Sequence, residues 1–339
     1  MLACAGAVAL GLMGCQRKPD EPAQSRIPAG LQSRFYPPQS WAWGRLAVEG
    51  APPIRYGVAS PDRAARAQVL ILPDAGEPAE AWFETASDLV GRNCVVWVVD
   101  WAGQGGSGRW WAAGDRTYVP SMDLDLAAIR KMVGEVVRPP SGPPLVLMGD
   151  GLGAQLALRA LSAGLPGVQG AVLGDPMLSP RTVVLPGPID GQAGAEWAAR
   201  LGLGRLLAPG EHAWRETDAR GHGRGAVGQA WMRANAPLRA GGASLGWLAA
   251  YNRSVAAARD PQALARIGVP VLILAQPGAA AQSRGACRAI RGCRFEPLGV
   301  KGPAPHLAAD PVRRRWLARA GEFIEARAAG YVVAAAPVK

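Results

Sequence analysis

The chain has 339 residues, 49% of them hydrophobic, and a formal net charge of +11 carried mainly by arginine. That supplies apolar material for one large core and requires no second domain. The charge is spread without a block and accompanies no recognisable reading motif, so nucleic acid is not an expected partner.

Residues 1–14 contain no charged side chain and read as a signal h-region too short to span a bilayer. Leu12-Met13-Gly14-Cys15 resembles a bacterial lipobox, whose cysteine is acylated and becomes the first mature residue. Two or three acyl chains anchor stably where one is marginal. The resemblance therefore implies a membrane-tethered protein of the cell envelope facing the periplasm, and Gln16 offers no retention signal, which favours the outer membrane. A secretory signal with a chance cysteine is the alternative. After the acylated Cys15, residues 16–38 carry Pro19, Pro22, Pro28, Pro37 and Pro38 and are expected to form an extended linker. Its reach is at most about 75 Å at ~3.3 Å per residue.

Beyond it, 42–49 and 53–60 read as an antiparallel hairpin turning around Gly50-Ala51-Pro52. Six short, nearly continuous apolar runs follow at 68–72, 94–99, 144–148, 168–173, 269–274 and 293–298, the pattern of strands covered on both faces. The clearest helix between them runs from Asp123 to Val137, with Leu126, Ile129, Met132, Val133, Val136 and Val137 on one stripe, and stops at Pro139-Pro140. Alternation of this kind predicts an α/β fold, a mainly parallel sheet of about eight strands with helices on both faces. The rhythm breaks between Asp175 and Gly246, which marks an inserted helical cap over 176–245. The cap divides the core into 39–175 and 246–330 and leaves a tail at 331–339. Trp197, Trp214, Trp231 and Trp247 either line an apolar pocket beneath the cap or pack the cap on itself. Cys94 opens an apolar strand and reads as a buried thiol. Cys287 and Cys293 are placed to pair across a helix-to-strand turn in an exported protein, although spacing alone does not establish a bond.

The segment from Leu145 to Leu158 joins an apolar run, a turn with glycine on both sides and a small-residue helix. This is the context of the G-x-S-x-G nucleophile elbow, but its apex is Gly151. A residue with a Cβ pays about 1–3 kcal/mol in such a conformation, and glycine does not. The substitution keeps the turn and removes the nucleophile. Asp150 lies one residue before the apex and is expected to point elsewhere, so it does not replace the missing group.

Three further segments carry a resemblance to the lysophospholipase and monoacylglycerol-lipase branch of the α/β-hydrolases. Asp100-Trp101-Ala102-Gly103-Gln104-Gly105-Gly106-Ser107-Gly108-Arg109 looks like that branch's D-x-R-G-x-G-x-S-x-R turn. Gly241-Gly242-Ala243-Ser244-Leu245-Gly246-Trp247 resembles its G-G-P-T-x-x-W segment, and Gly302-Pro303-Ala304-Pro305-His306 its histidine loop. The resemblance implies an α/β-hydrolase fold with His306 at a residual base position. Gly151 then stands at the vacant nucleophile position, and the acid position near Ala279 is also vacant. Ala75 and Leu152 are left to supply the amide groups of an oxyanion hole, with Asp74 and Asp150 bringing carboxylates close to it. Residues 103–108 also satisfy G-x-G-x-x-G, but no helix start follows as a dinucleotide site needs.

An active member needs serine, histidine and carboxylate together, and only the imidazole is left. One expectation is a silent, lipid-anchored binding module for an acyl-containing small molecule or a protein partner. The other is an ester hydrolase with relocated residues, Ser107 being the nearest hydroxyl. No cofactor or metal is expected; a third reading gathers Asp74, Asp100, Asp150, Asp175 and His306 around a divalent ion or polar ligand, against the common role of Asp as a cap of strand-to-helix turns.

Overall fold

Each apolar run becomes a strand of one eight-stranded sheet in the computed structural model, which describes residues 24–111, 114–137, 142–182, 191–216, 224–299 and 313–329. The strands are β1 (Ala42–Leu46), β2 (Ile54–Ala59), β3 (Ala67–Leu72), β4 (Cys94–Val99), β5 (Leu145–Asp150), β6 (Val168–Gly174), β7 (Val271–Ala275) and β8 (Cys293–Pro297). Their order is β1-β2-β4-β3-β5-β6-β7-β8. Only β1 with β2 and β2 with β4 pair antiparallel; every other pairing is parallel.

The helices of the first half are α1 (Phe83–Gly91), α2 (Asp123–Lys131) and α3 (Gly151–Ser162). The inserted stretch holds α4 (Gly191–Arg200) and α5 (Val227–Ala234), and the second half α6 (Leu245–Ala258), α7 (Pro261–Leu264), α8 (Ala280–Ala289) and α9 (Arg313–Ala328). Side chains alternate between faces along a strand, and the core follows that rule. Leu145 and Leu147 of β5 join Leu70 and Leu72 of β3 in one layer with Leu126 of α2, Leu156 of α3 and Val255 of α6. Val146 and Met148 join Val69 and Ile71 in the opposite layer with Leu89 of α1 and Trp316 of α9. The helix expected to run unbroken to Val137 instead widens into a π-helical turn over Met132–Val137.

Residues 24–38, expected within an extended linker, are docked. Phe35 is buried in a cluster with Phe83 of α1 and Val227, Trp231 and Met232 of α5. Arg26 donates from its amide to Asn235 Oδ1 (2.7 Å) and from Nη2 to the Ala234 carbonyl (2.8 Å). The physical reason is the apolar content of the segment: Phe35 alone contributes roughly 2 kcal/mol on burial. The prolines made it read as a spacer, but proline suits a strap lying on a surface equally well.

Among the described residues the Asp125 carboxyl group is buried with no cation beside it. Asp125, in the first turn of α2, is 2% exposed and accepts one backbone bond, from the Ala102 amide at 3.3 Å. Burial pushes its pKa up to about 7, the Ala102 bond pulling weakly the other way. The folded value lies above the unfolded one, near 3.9. The native state therefore holds a proton that the unfolded chain has lost, and this group's contribution to stability falls as pH rises from about 4 to about 7. Asp125→Asn removes the titration and keeps the size. The variant is expected to unfold at a higher temperature than wild type at pH 8 and to show a flatter midpoint-against-pH curve between pH 4 and pH 7, with an upper limit of about 4 kcal/mol. Parallel curves for the two proteins would contradict this.

Candidate active site

β5 ends at Asp150 and α3 starts at Gly151, whose φ of +50° lies in the left-handed region. The elbow is tight because Gly153 lets α3 lie against β3; a Cβ on Gly153 would overlap the Leu72 carbonyl. A Cβ on Gly151 would overlap the carboxylate of Asp74. Glycine at the apex thus meets two demands, a backbone that favours it and the room taken by a neighbouring side chain.

Asp74 follows β3 and turns its carboxylate into the elbow. Its Oδ1 accepts the backbone N–H of Ala75 at 2.7 Å and that of Leu152 at 2.7 Å. These are the two amides expected to form an oxyanion hole. Leu152 N–H stands in the first turn of α3, where the helix dipole favours negative charge. Hydrogen bonds to an ionised acceptor are the stronger kind. The sequence places the carboxylates of Asp74 and Asp150 near these amides; in the structure Asp74 is bonded to both amides.

The other expected positions gather around the same place. Asp74, Asp150, Gly151, Asp175 and Ala279 line one cleft of about 410 Å³. Its walls include Met177, Leu178, Pro180 and Tyr251. Asp150 is buried. Asp175 is held at φ +39°, and both its oxygens accept from Gln276, Oδ1 from the amide and Oδ2 from Nε2, each at 2.7 Å. Burial raises its pKa, and the Gln276 bonds oppose the rise. Gln276 follows β7, so a carboxylate that follows β6 reaches the end of β7, in the cleft that Ala279, the residue before α8 and the expected acid position, also lines. That contact crosses 101 residues and carries no local sequence signal.

Ser107 is buried in its turn, donating from Oγ to the Asp100 carbonyl (2.9 Å) and accepting the Arg55 amide (2.8 Å). Cys287 of α8 and Cys293 of β8 are disulfide-bonded. Cys94 is free and buried, and burial pushes its thiol up to about 11. His306 and Cys15 lie outside the described residues, as do the signal and the tail. Among the described residues no group of three His, Cys, Asp or Glu side chains is arranged to hold a metal ion.

A second cleft of about 430 Å³ opens beneath the cap, bordered by Ala75 and lined by Glu77, Arg181, Glu211, His212, Trp214 and Trp247. Of the four tryptophans expected either to line a pocket or to pack the cap on itself, Trp214 and Trp247 line this mixed polar and apolar cleft. Trp231 belongs to the cluster around Phe35. Trp197 is 53% exposed on α4. Arg181 borders both clefts and pairs with Glu211 at 2.7 Å.

A mainly parallel sheet with a helical insertion, and a strand–elbow–helix at its centre, define an α/β-hydrolase fold whose apex lacks a nucleophile. Residues 63–276 match the family described as Serine aminopeptidase, S33, and the chain belongs to that family. No curated protein matches the sequence. Similar solved structures include a lipase in its open form, 16% identical over 85% of this chain and 99% of that chain, with a TM-score of 0.65. A soluble variant of monoglyceride lipase from Saccharomyces cerevisiae, in complex with a substrate analog, is 15% identical over 89% and 99% of the two chains, with a TM-score of 0.63. Monoacylglycerol lipase from Paleococcus ferrophilus is 18% identical over 80% and 98%, with a TM-score of 0.61. At these identities the likeness establishes the fold.

Proposed function

We propose that this protein is a catalytically silent α/β-hydrolase, tethered to the envelope through acylated Cys15, that binds an acyl-containing ligand without cleaving it. The observation that carries the reading is the Asp74 carboxylate bonded to both Ala75 N–H and Leu152 N–H. Ester hydrolysis needs those donors free for the charge that develops on the carbonyl oxygen. Here they hold a fixed anion, which would also repel a second one. The missing hydroxyl at Gly151 removes the attacking atom as well, so the serine route is blocked at two points.

The apolar walls beside Gly151 suit an aliphatic chain, and the polar lining beneath the cap suits its headgroup. The docked strap leaves residues 16–23 between Cys15 and residue 24, a span of at most about 30 Å at ~3.3 Å per residue step. An anchor at Cys15 would therefore keep both clefts near the membrane surface. The alternative, an esterase with relocated residues, draws support from one contact, the Asp175 carboxylate beside Gln276. It still needs a nucleophile, and buried, doubly bonded Ser107 is a poor one.

The test is the purified full chain with short-chain esters, lysophospholipids and a serine-reactive phosphonate. No turnover and no covalent adduct are expected. Hydrolysis that disappears in His306→Ala would overturn the proposal.

A further inference from the structure

The glycine-rich turn 103–108 has no part in the clefts beside Gly151 and beneath the cap. Together with β1 and the end of the cap around Ala236–Leu238, its last residues wall a separate cleft of about 560 Å³ at the seam between core and cap. Arg45, Arg109 and Arg239 line it, with Asp115 as the one carboxylate.

Elsewhere in the fold buried or half-buried guanidinium groups meet carboxylates: Arg55 meets Glu80 and Asp100, Arg224 and Arg313 meet Glu84, and Arg319 meets Glu296. The three arginines of this cleft depart from that pattern. Arg109 Nη2 donates to two carbonyls, Pro237 at 2.7 Å and Arg239 at 3.1 Å. Its Nη1 is buried with no acceptor. Burial lowers the Arg109 pKa, with Asp100 and Asp115 opposing the change. Arg239 donates from Nε to the Met232 carbonyl at 3.2 Å and stacks 4.4 Å over Trp214. Arg45 is exposed on β1. Among the described residues none of the three lies within ion-pairing distance of a carboxylate. Asp115 already accepts the Trp214 amide through Oδ2 at 2.8 Å.

The result is a concave site with positive charge in excess, and such a site concentrates anions. A single carboxylate is satisfied by one guanidinium fork, whereas the several oxygens of a phosphate can take donors from more than one. We propose that this cleft binds a phosphate-class oxyanion, held by Arg45 and Arg109 from the core and Arg239 from the cap. Bound there, the anion would fasten cap to core. The inference does not depend on whether the elbow is silent.

Titration of the full chain with inorganic phosphate, followed by calorimetry and by phosphorus NMR against chloride at matched ionic strength, is expected to show saturable one-to-one binding. Arg45→Gln, which removes an exposed side chain with no hydrogen bond of its own, should weaken binding about tenfold, the loss of one charge-assisted contact. Asp115→Asn should tighten it by removing a like charge while an acceptor for Trp214 remains. Arg130→Gln, an exposed arginine on α2, should change nothing. A lipid headgroup as the source is distinguished by vesicles: binding to phosphatidylcholine vesicles that contain phosphatidic acid, lost in Arg45→Gln, assigns the site to a headgroup, and phosphate binding without vesicle binding assigns it to a free phosphate or phosphoester. Absence of saturable phosphate binding, or equal weakening by Arg45→Gln and Arg130→Gln, would overturn the proposal.

Discussion

Gly151→Ser lowers the stability of this protein and restores no esterase activity while Asp74 is present. The introduced side chain meets a φ of +50° and the space held by the Asp74 carboxylate. The conformational strain costs about 1–3 kcal/mol. Expelling the carboxylate from two amides forfeits bonds worth about 1.5–3 kcal/mol each to a charged acceptor. The second cost exists only if Asp74 is there to be expelled. In the Asp74→Ala background the same change should retain the strain and lose most of the rest, giving a coupling energy of about 3 kcal/mol in a double-mutant cycle measured by urea unfolding. Any gain in ester cleavage should appear in the double variant and not in Gly151→Ser alone. Equal destabilisation in both backgrounds, or an active single variant, would show that the carboxylate does not share space with the apex.

A second large loss of stability is expected at Arg55. Its side chain is 2% exposed, and those of Glu80 and Asp100 are fully buried. Nε donates to Asp100 at 2.5 Å, while Nη1 and Nη2 each donate to Glu80 at 2.8 Å. The guanidinium also stacks 3.9 Å over Trp43. Burial works against its charge, and Asp100 and Glu80 outweigh that effect. Asp100 further accepts the Ala79 and Gly106 amides, so the group pins the 100–109 turn to β2 and α1's approach. Arg55→Met would leave two carboxylates buried without a cation, a loss of about 3–5 kcal/mol. For a chain of this size that is a fall of roughly 5–8 °C in thermal midpoint. Arg55→Lys should recover only part of it, because one ammonium cannot serve both carboxylates with the fork geometry. A midpoint for Arg55→Met within a degree or two of wild type would refute this account of the turn.

The strands and the elbow were readable because their signals are local. β-branched runs such as 94–99 leave few alternatives, and glycines at 149, 151 and 153 can be recognised by spacing. Contacts across the chain were not readable. That Asp74 would rotate into the amides of Ala75 and Leu152, rather than face solvent, depends on the chain folding back to bring Leu152, 78 positions further on, beside it. The Asp175–Gln276 contact and the docking of Phe35 on α5 are of the same kind. Composition misled at Trp197: tryptophan is large and apolar, yet this one lies on the outer side of α4, with the Arg200 guanidinium 5.8 Å over its ring.

The bonding of Asp74 to both amides is tested most directly by following the backbone amide protons of Ala75 and Leu152 by NMR as pH is lowered. If one carboxylate oxygen accepts both, the two resonances shift together through a single titration, and Asp74→Ala abolishes that titration at both sites. Resonances that titrate independently, or that keep their titration in Asp74→Ala, would mean that the amides are free and that the elbow is still built to receive an oxyanion.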